Sequence, residues 1–209
     1  MATCHCNERH TRRRVVLTGG PGAGKTAVLE LARRAFCGHV QILPEAAGII
    51  FGGGFPRAAD PAHRQAAQRA IYFVQRELEA AFDESNAALV VCDRGTIDGG
   101  AYWPGPQDLW SAVGTTLQLE QKRYDAAIHL RTPEESNGYN FQNPLRRESA
   151  VEARLIDERI AGLWVGHPQH YVVDATQNFL DKASRVLAIL HEQIPPCCRV
   201  SIGDPAVHA

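Results

Sequence analysis

The segment Gly19-Gly20-Pro21-Gly22-Ala23-Gly24-Lys25-Thr26 constrains this chain more than any other. It fits the pattern G-x-x-x-x-G-K-[ST]. Its glycines admit backbone angles closed to other residues, so successive N–H groups can turn toward one anion. The run before it, Val15 to Thr18, is short and apolar. The stretch after it, Lys25 to Phe36, carries Val28, Leu31, Ala32 and Ala35 at helical spacing. A strand feeding a helix through such a loop aims the positive end of the helix dipole at a bound phosphate. Lys25 can reach terminal phosphates, and the Thr26 hydroxyl can ligate Mg²⁺. A chance glycine-rich turn would lack the strand, helix, lysine and threonine together.

The rest of the chain alternates in the same way. Strands are predicted at Val40–Leu43, Ala87–Cys92, Ala126–Leu130 and Tyr171–Val173. Helices are predicted over Pro61–Phe82, Asp108–Gln121, Arg147–Trp164 and Gln177–Gln193. In the long helix the core stripe reads as Ala67, Ala70, Ile71, Val74, Leu78 and Ala81, and in the last helix Leu180, Ala183, Val186, Leu187 and Leu190 point inward. Continuous apolar strands joined by helices imply a parallel sheet covered on both faces. The expected fold is therefore α/β: a three-layer α/β/α P-loop NTPase fold with a five-stranded parallel sheet. At 209 residues and 44% hydrophobic the chain can bury one sizeable core. The expected division is a flexible tail over 1–12, one domain over 13–193 with a lid around 132–148, and a C-terminal tail over 194–209. The glycine-rich stretch 51–60 is expected to be irregular.

A second acid supports the first motif. Ala88-Leu89-Val90-Val91-Cys92-Asp93 is an apolar strand ending in a carboxylate, the form of an acid that holds Mg²⁺ at a strand tip. The plainer account of Asp93 is a cap or turn residue. Formal net charge is -1, so charge gives no reason to expect nucleic acid or a membrane surface, and phosphate-binding charge must be local. No guanine-reading N-K-x-D motif occurs, which favours ATP over GTP. The expected cofactors are ATP and Mg²⁺.

From Arg13 to about Leu190 the chain resembles the AAA-domain family of P-loop proteins that includes the ribosylnicotinamide kinase domain of the bacterial NAD regulator. More distantly it is similar to deoxynucleoside and thymidylate kinases. The resemblance implies a role for Glu45, in Leu43-Pro44-Glu45-Ala46-Ala47, as general base toward an acceptor hydroxyl; the alternative is a cap in the first turn of a helix. Asp93-Arg94-Gly95 resembles the acid–arginine pair of such kinases, so Arg94 would clamp a phosphate; a surface arginine is the alternative. Asn143-Pro144-Leu145-Arg146-Arg147-Glu148 resembles a lid whose arginines, Arg146 and Arg147, close over phosphates; otherwise it is an exposed basic turn. Gln68, Tyr72 and Gln75 form a second stripe on the long helix, placed either to hold a planar substrate or as a solvated flank. Asp98, Tyr102 and Trp103 line the acceptor side or pack as core.

Two functions follow. The first is a kinase that moves the γ-phosphate of MgATP to a small-molecule, nucleoside-like hydroxyl, using Lys25, Glu45, Asp93, Arg94, Arg146 and Arg147. The second is a nucleotide switch or slow NTPase acting through a protein partner. The expected partners are a nucleotide and a small acceptor, with no nucleic acid and no membrane; a homodimer is compatible. No apolar run nears the roughly 20 residues that cross a bilayer, and residues 1–14 lack the apolar centre of a secretory signal. Six cysteines are too sparse for a disulfide framework in a chain of this length, so free thiols in a reducing cytoplasm are expected. Cys4, His5, Cys6 and His10 lack a second pair of metal ligands and read as a flexible tail. Cys197 and Cys198 read likewise.

Overall fold

The computed structural model describes Cys4 and residues 6–83, 85–133, 149–175 and 178–199. Its centre is a five-stranded sheet of β1 (Arg13–Thr18), β2 (Val40–Leu43), β3 (Leu89–Asp93), β4 (Ala126–Leu130) and β5 (His170–Val173). The spatial order is β2-β3-β1-β4-β5, and every pairing is parallel. Leu17 pairs with Asp93, so the end of β3 stands beside the end of β1, from which the glycine-rich loop departs.

Alternation along the strands divides the core into two layers. Val15, Leu17, Val91 and Ile128 pack with α1 (Lys25–Ala35) and α7 (Phe179–Gln193). Val16, Val90, Cys92 and Ala127 face the opposite layer, with Ile160 and Trp164 of α6 (Ala150–Trp164). This is the expected three-layer α/β sandwich. No helix among the described residues is long and apolar enough to cross a membrane.

Local chemistry sets the helix starts. Asp60 accepts from the His63 amide and Pro61 occupies the first turn of α3 (Pro61–Ala81). Ser149 and Glu152 form a capping box on α6. The single helix expected over 108–121 is instead two, α4 (Leu109–Val113) and α5 (Leu117–Gln121). Gly114 ends the first in a left-handed conformation, and Thr116 caps the second. Within the stretch expected to be irregular, a helix α2 (Ala46–Gly52) reaches Gly52. A 3₁₀ turn covers Asp98–Tyr102.

Two expected stripes shift. On α3 the most buried residues are Ala67, Tyr72, Gln75 and Glu79, not the all-apolar row. The reason is a buried polar network: Tyr124 donates to Glu79 at 2.7 Å, and the guanidinium of Arg123 pairs with the same carboxylate. Leu180 is 65% exposed, because the inward face of α7 begins at Lys182.

Candidate functional site

The glycine-rich loop leaves β1 under tight steric control. Gly19 has φ of 132°, and a Cβ there would come 2.1 Å from the Leu130 carbonyl oxygen. At Gly20 a Cβ would meet Thr132 Oγ1 at 2.5 Å and the Ala153 carbonyl oxygen at 2.8 Å. Only a residue without a side chain passes between β4 and α6 at this height. Gly19→Ala is expected to cost at least about 1–3 kcal/mol, the usual penalty of overpacking. A Gly19→Ala protein with a wild-type urea midpoint would show that the loop moves aside freely.

Lys25 is buried and its ammonium donates to the carbonyls of Gly19 (2.8 Å) and Gly20 (2.9 Å). Desolvation lowers its pKa to about 8; the positive charge of Arg94 acts in the same direction, and Asp93 and Glu45 oppose it.

Asp93 sits at the tip of β3, as the sequence implied. Its Oδ1 is buried without a hydrogen-bond partner among the described residues. Burial raises its pKa to about 6 against the pull of Lys25. A carboxylate oxygen with an open lone pair beside a glycine cradle suits a hard divalent cation such as Mg²⁺. Thr26, exposed in the same cleft, offers a hydroxyl there.

Arg94 follows with φ of 71°, the one non-glycine residue with positive φ among those described. Such a conformation costs of order 1–3 kcal/mol and persists where its surroundings impose it. Here it turns the guanidinium back across the loop. Nε donates to Glu45 Oε1 at 2.6 Å, and Nη1 donates to the Gly19 carbonyl at 3.1 Å. Glu45 stands at the N-cap position of α2, but its side chain makes no capping bond and turns to Arg94 instead. Desolvation would raise its pKa; Arg94 and Lys25 outweigh that and hold it below the usual carboxylate range. Arg94 is not a free surface arginine.

These groups line one cleft of about 1310 Å³ between the loop, α2 and α3. Gln68, Tyr72 and Gln75 all reach it. Tyr72 and Gln75 are not a solvated flank: both are buried, the Tyr72 hydroxyl donates to Glu120 at 2.9 Å, and the Gln75 amide donates to Glu79 at 2.9 Å. Of the aromatic pair, Tyr102 lines the cleft with Arg94 5.8 Å from its ring, whereas the Trp103 indole bonds to the Gln107 carbonyl. Asp98 is 1% exposed and accepts from Thr18 at 2.6 Å and Trp164 at 3.0 Å. Arg146 and Arg147, with most of the expected lid, lie outside the described residues.

The supports of the loop lie outside the sequence motifs. Asp157 of α6 accepts from the Gly20 amide (2.8 Å), His129 Nε2 (3.0 Å) and Arg131 (3.0 Å), pinning the loop to β4. Lys182 donates to the carbonyls of Ala23 and Arg131. No spacing rule marks Asp157. Lys182 did carry a signal, since it stands at helical spacing with Val186 and beside Ala183, on the inward face of α7. Arg57, Arg64 and Arg159 also line the cleft and supply local positive charge in a nearly neutral chain.

The sequence family described as AAA domain matches residues 14–182. No curated protein sequence matches the chain. Among solved structures, deoxyadenosine kinase from M. mycoides with bound dATP superposes with a TM-score of 0.61 at 12% identity, covering 85% of this chain and 98% of the kinase. Thymidylate kinase from Candida albicans gives 0.61 at 12% identity, covering 86% of this chain and 91% of that enzyme. At this identity the two structures share a fold with the chain.

Proposed function

This chain belongs to the AAA-domain family, and from that premise we propose that it is a kinase passing the γ-phosphate of MgATP to a hydroxyl of a small, nucleoside-like acceptor. One observation carries the reading: the strained Arg94 holds Glu45 against the mouth of the phosphate loop, with α3 across the cleft. A nucleotide switch needs an anion cradle, but it has no need of a carboxylate poised at its mouth.

The loop amides of Gly19 and of Gly22 to Thr26 would bind the phosphates; Pro21 has no N–H, and the Gly20 amide is held by Asp157. Lys25 would exchange its two carbonyl partners for phosphate oxygens. Asp93 and Thr26 would hold Mg²⁺, which when bound neutralises charge on the transferring phosphate. Glu45 would orient the acceptor hydroxyl and take its proton as the new O–P bond forms. Arg94 keeps Glu45 ionised and aimed. Tyr72 and Gln75, fixed by the buried carboxylates behind them, would form a rigid wall for the acceptor, with Gln68 beside them. Arg146 and Arg147 would close over the phosphates.

An ADP-release assay across nucleosides and related vitamin precursors tests the proposal. Acceptor-stimulated turnover is expected. Basal hydrolysis that no acceptor stimulates, with ATP still bound, would favour the switch. In thermal unfolding, MgATP at a hundred times Kd should stabilise the protein by about 2.7 kcal/mol, and Lys25→Ala should erase that gain.

Affinity should also depend on pH with a definite sign. The free protein loses the Lys25 charge as pH rises through about 8. Bound phosphate favours the ammonium, so binding above that pH takes up a proton. ATP affinity should then fall with pH, by at most about tenfold per unit for one proton. Calorimetry at pH 8.5 in two buffers of unlike ionisation enthalpy should show uptake; proton release would contradict the assignment.

A further inference from the structure

Five of the six cysteines gather at the end of the sheet opposite the phosphate loop. There α1 and α7 terminate and β2 begins. Cys37 and His39 lie in the turn between α1 and β2, Cys4 comes from the N-terminal segment, and Cys198 lies in a 3₁₀ turn after α7. The ligand atoms of these four residues all fall within 4.8 Å of one another. His39 Nδ1 stands 3.1 Å from Cys4 Sγ, 3.5 Å from Cys198 Sγ and 4.0 Å from Cys37 Sγ.

A tetrahedral zinc ion with Zn–S near 2.3 Å and Zn–N near 2.0–2.1 Å requires S···N edges of about 3.6 Å. The observed edges bracket that value. Cysteines buried only as small apolar residues have no reason to direct three sulfurs and one imidazole nitrogen at a common centre. The turn itself is set by backbone bonds: the Val40 amide donates to the Cys37 carbonyl at 3.0 Å, and the His39 carbonyl accepts from Ala88 at 2.8 Å.

We infer that Cys4, Cys37, His39 and Cys198 form a closed structural site for a divalent ion of zinc type, clasping both chain ends to the bottom of the sheet. Four protein ligands leave no open position, as in structural rather than catalytic zinc sites, and the cluster lies at the end of the sheet opposite the phosphate loop. Binding releases the three thiol protons to solvent as three S–Zn bonds form, with His39 neutral. The sequence lacked a second ligand pair near Cys4 because that pair comes from residues more than thirty positions away. Cys6, His10 and Cys197 form a neighbouring set that shares Cys198, with Cys198 Sγ 3.5 Å from His10 Nε2. A second ion would fit there only with the Cys198 thiolate bridging.

The test uses the full chain, kept reduced, with metal measured by mass spectrometry and cobalt(II) as a spectroscopic probe. Expected are at least one tightly held zinc per chain and, after exchange, the intense visible bands of tetrahedral thiolate-bound cobalt. Two zinc ions per chain would add the bridged set to the clasp. Cys37→Ser removes a ligand inside the fold. Cys4→Ser removes one from the N-terminal segment, outside the strands and helices. Either should release zinc and alter the cobalt spectrum. Substoichiometric zinc after reconstitution without cobalt–thiolate absorption would overturn the assignment. So would unchanged metal content in both variants.

Discussion

Glu45→Gln is expected to leave MgATP binding intact and to slow acceptor-dependent turnover by about 10²–10⁴, the range for loss of a general base. The amide oxygen of glutamine can still accept from Arg94 Nε, which now lies 2.6 Å from Glu45 Oε1. Arg94 therefore keeps a partner, and the loop carbonyl of Gly19 keeps its bond from Nη1. What disappears is the capacity to take a proton. Because the transition state of phosphoryl transfer is loose, orientation of the nucleophile is retained and the residual rate should not reach zero. The measurement is single-turnover transfer alongside a binding isotherm. Equal losses in affinity and rate would show that Glu45 supports the loop and does not act on the acceptor.

Asp157→Ala should have the largest effect on stability. It strips the acceptor from two buried donors at once, the Gly20 amide and His129 Nε2. An ionised carboxylate can only accept, so the His129 nitrogen facing it carries the proton. Desolvation works against the charge of Asp157, but His129, the Gly20 amide and Arg131 together hold its pKa below the usual range. Each buried donor left without an acceptor costs about 1–3 kcal/mol, so a loss of about 3 kcal/mol in urea unfolding is expected. Arg131 adds little, since its side chain is 35% exposed and can turn to water. Asp157→Asn keeps one acceptor oxygen and should lose less. ATP affinity should fall in the alanine variant because Gly20 is then free to move. An unchanged urea midpoint would mean that the loop holds its shape without α6.

The metal clasp and the cleft occupy opposite ends of the sheet. Chelation should therefore loosen the chain ends while the phosphate loop keeps its geometry.

How much of this could be read from the sequence differs by region. The strands and most helices were legible because burial on two faces imposes continuous apolar runs, and because Pro61 marks a helix start locally. The phosphate loop and Asp93 were legible because their chemistry lies within a few consecutive residues. The break at Gly114 was present in the sequence but outweighed by apolar spacing on either side. Tertiary structure alone decided that Arg94 would turn back onto Glu45 and that the polar face of α3 would be the buried one. It also decided that Asp157 would hold Gly20 and that cysteines from both chain ends would meet His39. Each of these rests on a pairing of polar groups across 35 or more positions of chain, and only the crossing of strands and helices brings such groups to bonding distance.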